Sequence, residues 1–257
     1  MKDIFSLQGK NAIVIGGAGG IGQAIAKGLA FYGAKVGIAS RKLENLEKAA
    51  QEIQTDINKE VKIFQVDSAN EDSIKALAGK VVAEMGKVDI LVNSQGINIK
   101  QSALEFQMDQ WDALFNVNVK GVMMCCKEFA KIMTKQNYGK IINVSSVRGA
   151  RACGGGNSAY NSSKGAVDMM TRTLAVELAP FNITVNAVGP TVTETPMMTK
   201  LLTDNPALKE RLTGAHPLGR LSVPEDMIGA AVFLASDASN YVTGQVIYPD
   251  GGLTAIG

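Results

Sequence analysis

The sequence predicts a doubly wound α/β fold: one parallel sheet of about seven strands, with helices on both faces. Three observations carry this. Short apolar runs alternate with segments of helical period along the whole chain. A glycine cluster, Gly16-Gly17-Ala18-Gly19-Gly20-Ile21-Gly22, separates the first such pair. No linker, repeat or low-complexity tract divides the 257 residues, so the chain reads as one domain, 1–257.

The elements follow in order. Asn11 to Ile15 is a buried strand ending in glycines, and Ile21, Ile25, Leu29 and Tyr32 recur with helical spacing. Lys35 to Ala39 is a second strand, Leu43 to Ile53 a second helix, and Val61 to Val66 a third strand. Ser68 and Glu71 stand at capping-box spacing and open the next helix. Val88 to Val92 is a fourth strand, followed by a mostly helical stretch from Leu104 to about Lys135, broken near Val119-Lys120-Gly121. Lys140 to Val144 is a fifth strand. The long helix Ser158 to Ala179 ends at Pro180, where proline cannot continue the ladder. Ile183 to Val188 and Gln245 to Tyr248 complete the sheet. Strands alternating with helices imply right-handed βαβ units and a parallel sheet covered on both faces. Residues 190–217, rich in Thr, Pro and Met, read as an irregular substrate lid.

A glycine loop between a strand and a helix lets backbone N–H groups approach a pyrophosphate at the helix N-terminus. Gly16, Gly19, Gly20, Ile21 and Gly22 are therefore cofactor candidates in a Rossmann-type unit. An NAD-preferring site places an acid at the end of the second strand. This chain has Ser40 and Arg41 there, and a guanidinium matches a ribose 2′-phosphate in charge and geometry. NADP(H) is therefore favoured, with NAD as the alternative. Asp67, with Ser68 beside it, ends the third strand and could either accept from an adenine amino group or cap a helix. Asn93-Ser94-Gln95-Gly96 ends the fourth strand, where ligands bind in such sheets, which makes Asn93 and Gly96 candidates.

Tyr160 and Lys164 stand four apart on one predicted helix and share a face. A tyrosine is a poor base at neutral pH, but a neighbouring ammonium favours the phenolate. Such a pair can exchange a proton with an alcohol or carbonyl oxygen. Ser146 lies upstream at the end of the fifth strand, with Ser145 as the runner-up, and Asn118 lies in Val117-Asn118-Val119-Lys120-Gly121.

Gly16-xxx-Gly20-x-Gly22, the Asn93–Gly96 stretch and the ordered set Asn118, Ser146, Tyr160 and Lys164 resemble the short-chain dehydrogenase/reductase family. Ile15 replaces the usual Thr before the loop, and the Asn93–Gly96 stretch departs from N-N-A-G at two positions. The resemblance implies that Ser146 orients the substrate oxygen and Tyr160 is the acid/base. It implies that Lys164 binds the nicotinamide ribose and that Asn118 holds a relay water. Val185-Asn186-Ala187-Val188-Gly189-Pro190 looks like the family's sixth strand, with Thr191 in place of its glycine. By the same resemblance Pro190, Thr193 and Thr195 face the cofactor, the latter two its carboxamide. Tyr160 and Lys164 also count among the cofactor contacts.

Phe5-Ser6-Leu7-Gln8-Gly9-Lys10, Gly96-Ile97-Asn98 and Pro217-Leu218-Gly219-Arg220 are similar to the gluconate 5-dehydrogenase and sugar-alcohol dehydrogenase branch. This implies a hydroxyl–ketone interconversion on an aldonate or polyol. A 3-oxoacyl-thioester reductase is the rival within the enzyme class, and a catalytically silent nucleotide-binding regulator is the rival outside it. Arg148 and Arg151 follow Ser146 and could hold a substrate carboxylate.

Composition narrows the classes. Lys+Arg 26 against Asp+Glu 24 leaves a net charge of +2, too little to coat nucleic acid or an anionic membrane. Three cysteines (Cys125, Cys126, Cys153) without a CxxC, and the single His216, predict neither a disulfide framework nor a metal site. With no apolar run of membrane length and no signal peptide at Met1 to Phe5, a cytoplasmic enzyme is expected. Cys125 and Cys126, with Met123 and Met124, read as core packing, as does Trp111. Family resemblance implies a homotetramer.

Overall fold

The computed structural model describes residues 3–256. Seven parallel strands form one sheet in the order β3-β2-β1-β4-β5-β6-β7. They are β1 (Asn11–Ile15), β2 (Lys35–Ser40), β3 (Lys62–Gln65), β4 (Ile90–Asn93), β5 (Gly139–Val144), β6 (Ile183–Val188) and the short β7 (Val246–Ile247). Register is set by side-chain alternation. Ala12 and Val14 face one core with Val36, Ile38 and Val92, whereas Ile13 and Ile15 face the other with Ala39 and Leu91.

Each face is covered by helices with one apolar stripe. On the first lie α1 (Gly20–Phe31) and α2 (Leu43–Ile57), through Ile25, Leu29, Leu46 and Ile53. On the second lie α3 (Glu71–Met85), α5 (Gly121–Gln136) and α7 (Ser158–Leu178), through Ile74, Val81, Phe129 and Leu174. Between α3 and α5 comes α4 (Met108–Phe115), and α6 (Val147–Ala150) is a single turn before α7. Cys125 and Cys126 are packing residues of the second core; burial pushes the Cys126 thiol up to about 12. Trp111 also packs, edge-on to Phe106 and stacked on Phe115 at 4.9 Å. Among the described residues no helix is long and apolar enough to cross a membrane, and no His/Cys/Asp/Glu group could hold a metal ion.

Three expectations need correction. The helix after β3 is capped by Asn70, whose side chain accepts from Ser73 N, and not by Ser68, which is buried. The stretch from Leu104 is not yet helical; α4 begins at Met108, and the break is a π-helical turn, Asn116–Lys120. The Thr/Pro/Met-rich segment is not irregular. It folds into α8 (Pro196–Asp204) and α9 (Pro206–Gly214), each with a proline in its first turn, where the missing N–H costs nothing. One further helix, α10 (Ile228–Ala235), packs on the first core.

Candidate active site

The strand order reverses between β1 and β4, and at such a switch point the loops diverge and leave a crevice at the carboxyl ends. A cavity of about 330 Å³ occupies that crevice. Gly16 and Gly19 line it on one side, Ser40, Arg41 and Asp67 at one end, and Gly96 and Ile97 at the other. Gly16 must be glycine: its φ is +79°, and a Cβ there would stand 2.7 Å from the Ser94 backbone. Gly22 is equally constrained, since a Cβ would run into the Gly16 carbonyl. The N-cap of α1 is Gly19 with no side-chain cap, so the first-turn amides of Gly20, Ile21 and Gly22 are open to an anion.

Arg41 lies on the cavity rim, and among the described residues no carboxylate forms an ion pair with it. Lys42, in contrast, is the N-cap of α2 and lies 3.9 Å from Glu44. Asp67 lines the cavity and does not cap the helix, a role that Asn70 takes; its Oδ1 accepts from Ala69 N at 3.0 Å in the turn before it. The residues therefore fit a dinucleotide, with first-turn amides for the pyrophosphate and the Arg41 guanidinium on the same cavity.

The sequence reading missed several lining residues. Asn45, one helical turn after Arg41, lines the cavity, as do Val66, Gln95 and Val117. Helical spacing from Arg41 could have found Asn45; the two valines carry no signal. Asn93 does not line this cavity through its side chain. Its Nδ2 donates to Asn143 Oδ1 at 2.9 Å, so the amide ties β4 to β5 inside the core.

The four residues of the predicted catalytic set converge beyond the Gly96 end. A Cβ on Gly96 would stand 3.5 Å from Asn118 Oδ1 and 3.8 Å from Lys164 Nζ. Asn118 sits in the π-helical turn, a distortion frequent at functional sites. Its Oδ1 accepts from Ile97 N at 2.8 Å, and its Nδ2 donates to Ile97 O at 2.9 Å and Ser163 Oγ at 3.1 Å. The amide thereby clamps the β4 loop against α7. Lys164 Nζ donates to Val144 O at 2.8 Å and lies 5.7 Å from the Tyr160 ring centroid.

The Ser146 hydroxyl lies beside the Tyr160 phenol. Burial raises the Tyr160 pKa, against the lowering effects of the neighbouring Ser146 hydroxyl and of the Arg148 charge. The net direction is thus opposite to the one expected from Lys164 alone, because the phenol is desolvated. Burial also pushes Lys164 down, to about 8, with Asp168 opposing.

The two serines separate cleanly. Ser145 Oγ donates to Asp168 Oδ1, whereas Ser146 caps α6, accepting from Arg148 N at 3.2 Å, and donates to Pro190 O at 3.3 Å. The two arginines separate as well. Arg148 acts electrostatically on Tyr160, while the Arg151 guanidinium donates to Leu253 O in the C-terminal segment.

The segment after β6 closes one side. A Cβ on Gly20 would meet Thr195 Cγ2 at 3.1 Å, so Thr195 lies over the glycine loop. Thr193 is buried and donates to Thr191 O at 3.0 Å. Thr191, standing where the resembled family has glycine, pairs its hydroxyl with His216 Nε2 at 2.8 Å, and His216 Nδ1 lies 2.7 Å from Leu212 O. With both ring nitrogens bonded, His216 anchors α9 to the β6 turn.

Comparison with known proteins bears on the family and the fold. A family profile described as Enoyl-(Acyl carrier protein) reductase, of the short-chain dehydrogenase type, matches residues 16–254. The chain is 40% identical over 247 residues to a 3-oxoacyl-(acyl-carrier-protein) reductase FabG of Thermotoga maritima, covering 96% of this chain and 98% of that protein. It is 36% identical over 254 residues to a 5-keto-D-gluconate 5-reductase of Escherichia coli, covering 98% of each. It superposes with TM-score 0.93 on a gluconate 5-dehydrogenase from Burkholderia cenocepacia in complex with NADP and tartrate, at 34% identity and 99% coverage of both chains.

Proposed function

The chain belongs to the short-chain dehydrogenase/reductase family, oxidoreductases acting on CH–OH groups, and from that premise we propose that it interconverts a secondary alcohol and a ketone on a sugar acid or polyol, using NADP(H). The observation that carries this reading is the meeting of Asn118, Ser146, Tyr160 and Lys164 at one end of a cleft whose other end is marked by Arg41.

When bound, the dinucleotide supplies or accepts the hydride. The chain does the rest. The Ser146 hydroxyl orients the substrate oxygen, and Tyr160 gives it a proton in reduction or takes one in oxidation. The Lys164 ammonium favours the phenolate that this leaves and holds the nicotinamide ribose. Asn118 keeps the Gly96 loop at the distance the cleft requires. Arg41 recognises the 2′-phosphate.

For the substrate, Arg148 is the supporting feature: it is the guanidinium whose charge reaches Tyr160. A sugar acid places a carboxylate a few atoms from its reacting carbon, within reach of such a group. Similarity to a 5-keto-D-gluconate 5-reductase and to a gluconate 5-dehydrogenase points the same way. Reduction of a 3-oxoacyl thioester is the second reading, favoured by the 40% identity to a FabG reductase.

The deciding experiment follows NADPH absorbance with keto-aldonates, neutral ketoses and 3-oxoacyl thioesters. Highest kcat/KM on a keto-aldonate is expected. Arg148→Ala should then lower kcat/KM for the carboxylate substrate by about 10–150-fold more than for the neutral ketose, whose smaller loss reflects only the Arg148 charge on Tyr160. Preference for the thioester would replace the sugar-acid reading, and equal losses on both sugars would remove the anion role of Arg148.

A further inference from the structure

One helical turn beyond Lys164, a buried carboxylate sits in a pocket built for it. Asp168 follows Lys164 by four on α7, so both side chains leave the same face, with Cβ atoms about 5–6 Å apart. Asp168 is only 4% exposed. Its Oδ1 accepts from Ser145 Oγ, and its Oδ2 accepts from Tyr248 OH at 3.3 Å.

Two glycines make the room. A Cβ on Gly149 in α6 would collide with Asp168 Oδ2, and a Cβ on Gly189 after β6 would run into the Tyr248 ring. Three separate elements thus converge to admit one carboxylate and its phenol partner. Solvation alone does not explain such a residue, since a buried carboxylate is costly unless its charge is compensated.

The groups facing Asp168 can be named from each side. Lys164 and Arg172 flank it on α7, Ser145 comes from the end of β5, and Tyr248 from the C-terminal segment. Burial raises the Asp168 pKa, while all four of these groups lower it. For Lys164 the balance is reversed: burial lowers its pKa, and Asp168 is the group that raises it. Asp168 is thus the charge that offsets the burial of Lys164, while Asp168 is itself held mainly by Ser145, Tyr248 and Arg172.

We propose that Asp168 is a positioning residue of this site: its carboxylate, fixed by Ser145 and Tyr248, is the counter-charge that keeps Lys164 an ammonium ion beside Tyr160. The proposal rests on the reading of Tyr160 and Lys164 as the proton-transfer pair. Asp168 itself touches neither cleft nor substrate. It acts through Lys164, and the effect is on charge rather than shape.

Asp168→Asn tests this, because the amide keeps the volume and can still bond both hydroxyls while losing the charge. The direct reading is the ¹³Cε titration of Lys164, assigned by its loss in Lys164→Ala. A midpoint about one pH unit or more below that of the parent protein is expected, the effect of losing an opposite charge at this range. The alkaline limb of kcat in NADPH-dependent reduction should move with it. If the amide variant does not fold, Asp168→Ala gives the same reading. A Lys164 midpoint unchanged in a folded variant would overturn the proposal. A midpoint that moves while the kcat limb stays would support the counter-charge but fault the proton-transfer reading. The NMR measurement needs no substrate, so it stands whichever carbonyl compound is turned over.

Discussion

Two lysines lie buried at opposite ends of the same sheet. Lys140 is near the amino end of β5, and Lys164 stands beyond its carboxyl end. Burial pushes both down to about 8, and each is opposed by one aspartate, Asp237 for Lys140 and Asp168 for Lys164. By perturbation alone they are twins. Their surroundings differ. Lys140 Nζ meets the Ser239 hydroxyl, which is itself bonded to Leu234 O and Ser236 O, inside a closed cap of the sheet. Lys164 faces Tyr160 and the Gly96 end of an open cleft. A shifted amine marks a functional site only where a second titratable group and a ligand-sized space lie within reach.

The amino end of the sheet is closed by backbone. Asn11 N donates to Asp89 Oδ2 at 2.7 Å, and Asn11 Nδ2 donates to Met85 O at 2.6 Å. These bonds tie the start of β1 to the segment that leads into β4. At the carboxyl end the strands diverge, and the first-turn amides and Arg41 remain turned to the cleft.

The sharpest way to break this contrast is Tyr160→Phe. It keeps the ring that packs with Phe106 and Trp111 and removes the proton, so the fold and NADPH binding should persist. Turnover should drop about 10²–10⁴-fold, the usual share of general acid–base catalysis. Turnover within a few-fold of the parent would strip Tyr160 of that role and leave Lys164 as structural as Lys140.

The next effect is smaller and sits at the far end of the cleft. Arg41→Ala should weaken NADPH binding about 10–150-fold in a fluorescence titration and leave NADH nearly unchanged. A parent protein that already prefers NADH would end the 2′-phosphate assignment.

Lys140→Met probes the other lysine, with the smallest effect. Lys140 has its ordinary pKa near 10.5 in the unfolded chain and about 8 in the folded one. Between these values the unfolded chain binds more protons, so stability rises with pH through that window and is lowest below it. Across its full window each lysine contributes a rise on the order of 3 kcal/mol. In urea unfolding at pH 7 and pH 10, Lys140→Met should flatten the rise, while turnover at pH 7 stays within about threefold. A large loss of turnover would mean that the two ends of the sheet are coupled.

Much of this was legible in the chain. Strands β1, β2, β5 and β6 and the helices between them follow from short-range apolar spacing, which burial enforces on any compact fold. The glycine loop, Arg41, Asp67 and the Tyr160–Lys164 pair were legible as candidates because each is a local pattern with its own chemistry. The segment after Pro190 was misread because its prolines look like helix breakers, whereas first-turn prolines begin helices. The capping box at Ser68 failed for a similar reason: two overlapping caps fit the spacing, and Ser68 is buried where its backbone meets Gly121.

The sequence by itself determined the alternation of strands and helices, the place of the glycine turn and which residues are candidates for proton transfer. These depend on periods of two and 3.6 residues and on side-chain chemistry, both of which act within a few positions. Only the tertiary structure decided which partner each polar group takes. Asn93 turned from the cleft to Asn143, 50 residues away; Arg151 bonded Leu253, 102 residues away; Ser145 and Tyr248 joined on Asp168. The physical reason is that a buried polar group must be satisfied by whatever donor or acceptor the packed elements bring within about 3 Å. That partner is chosen by the order of strands in the sheet, which no local pattern of residues encodes.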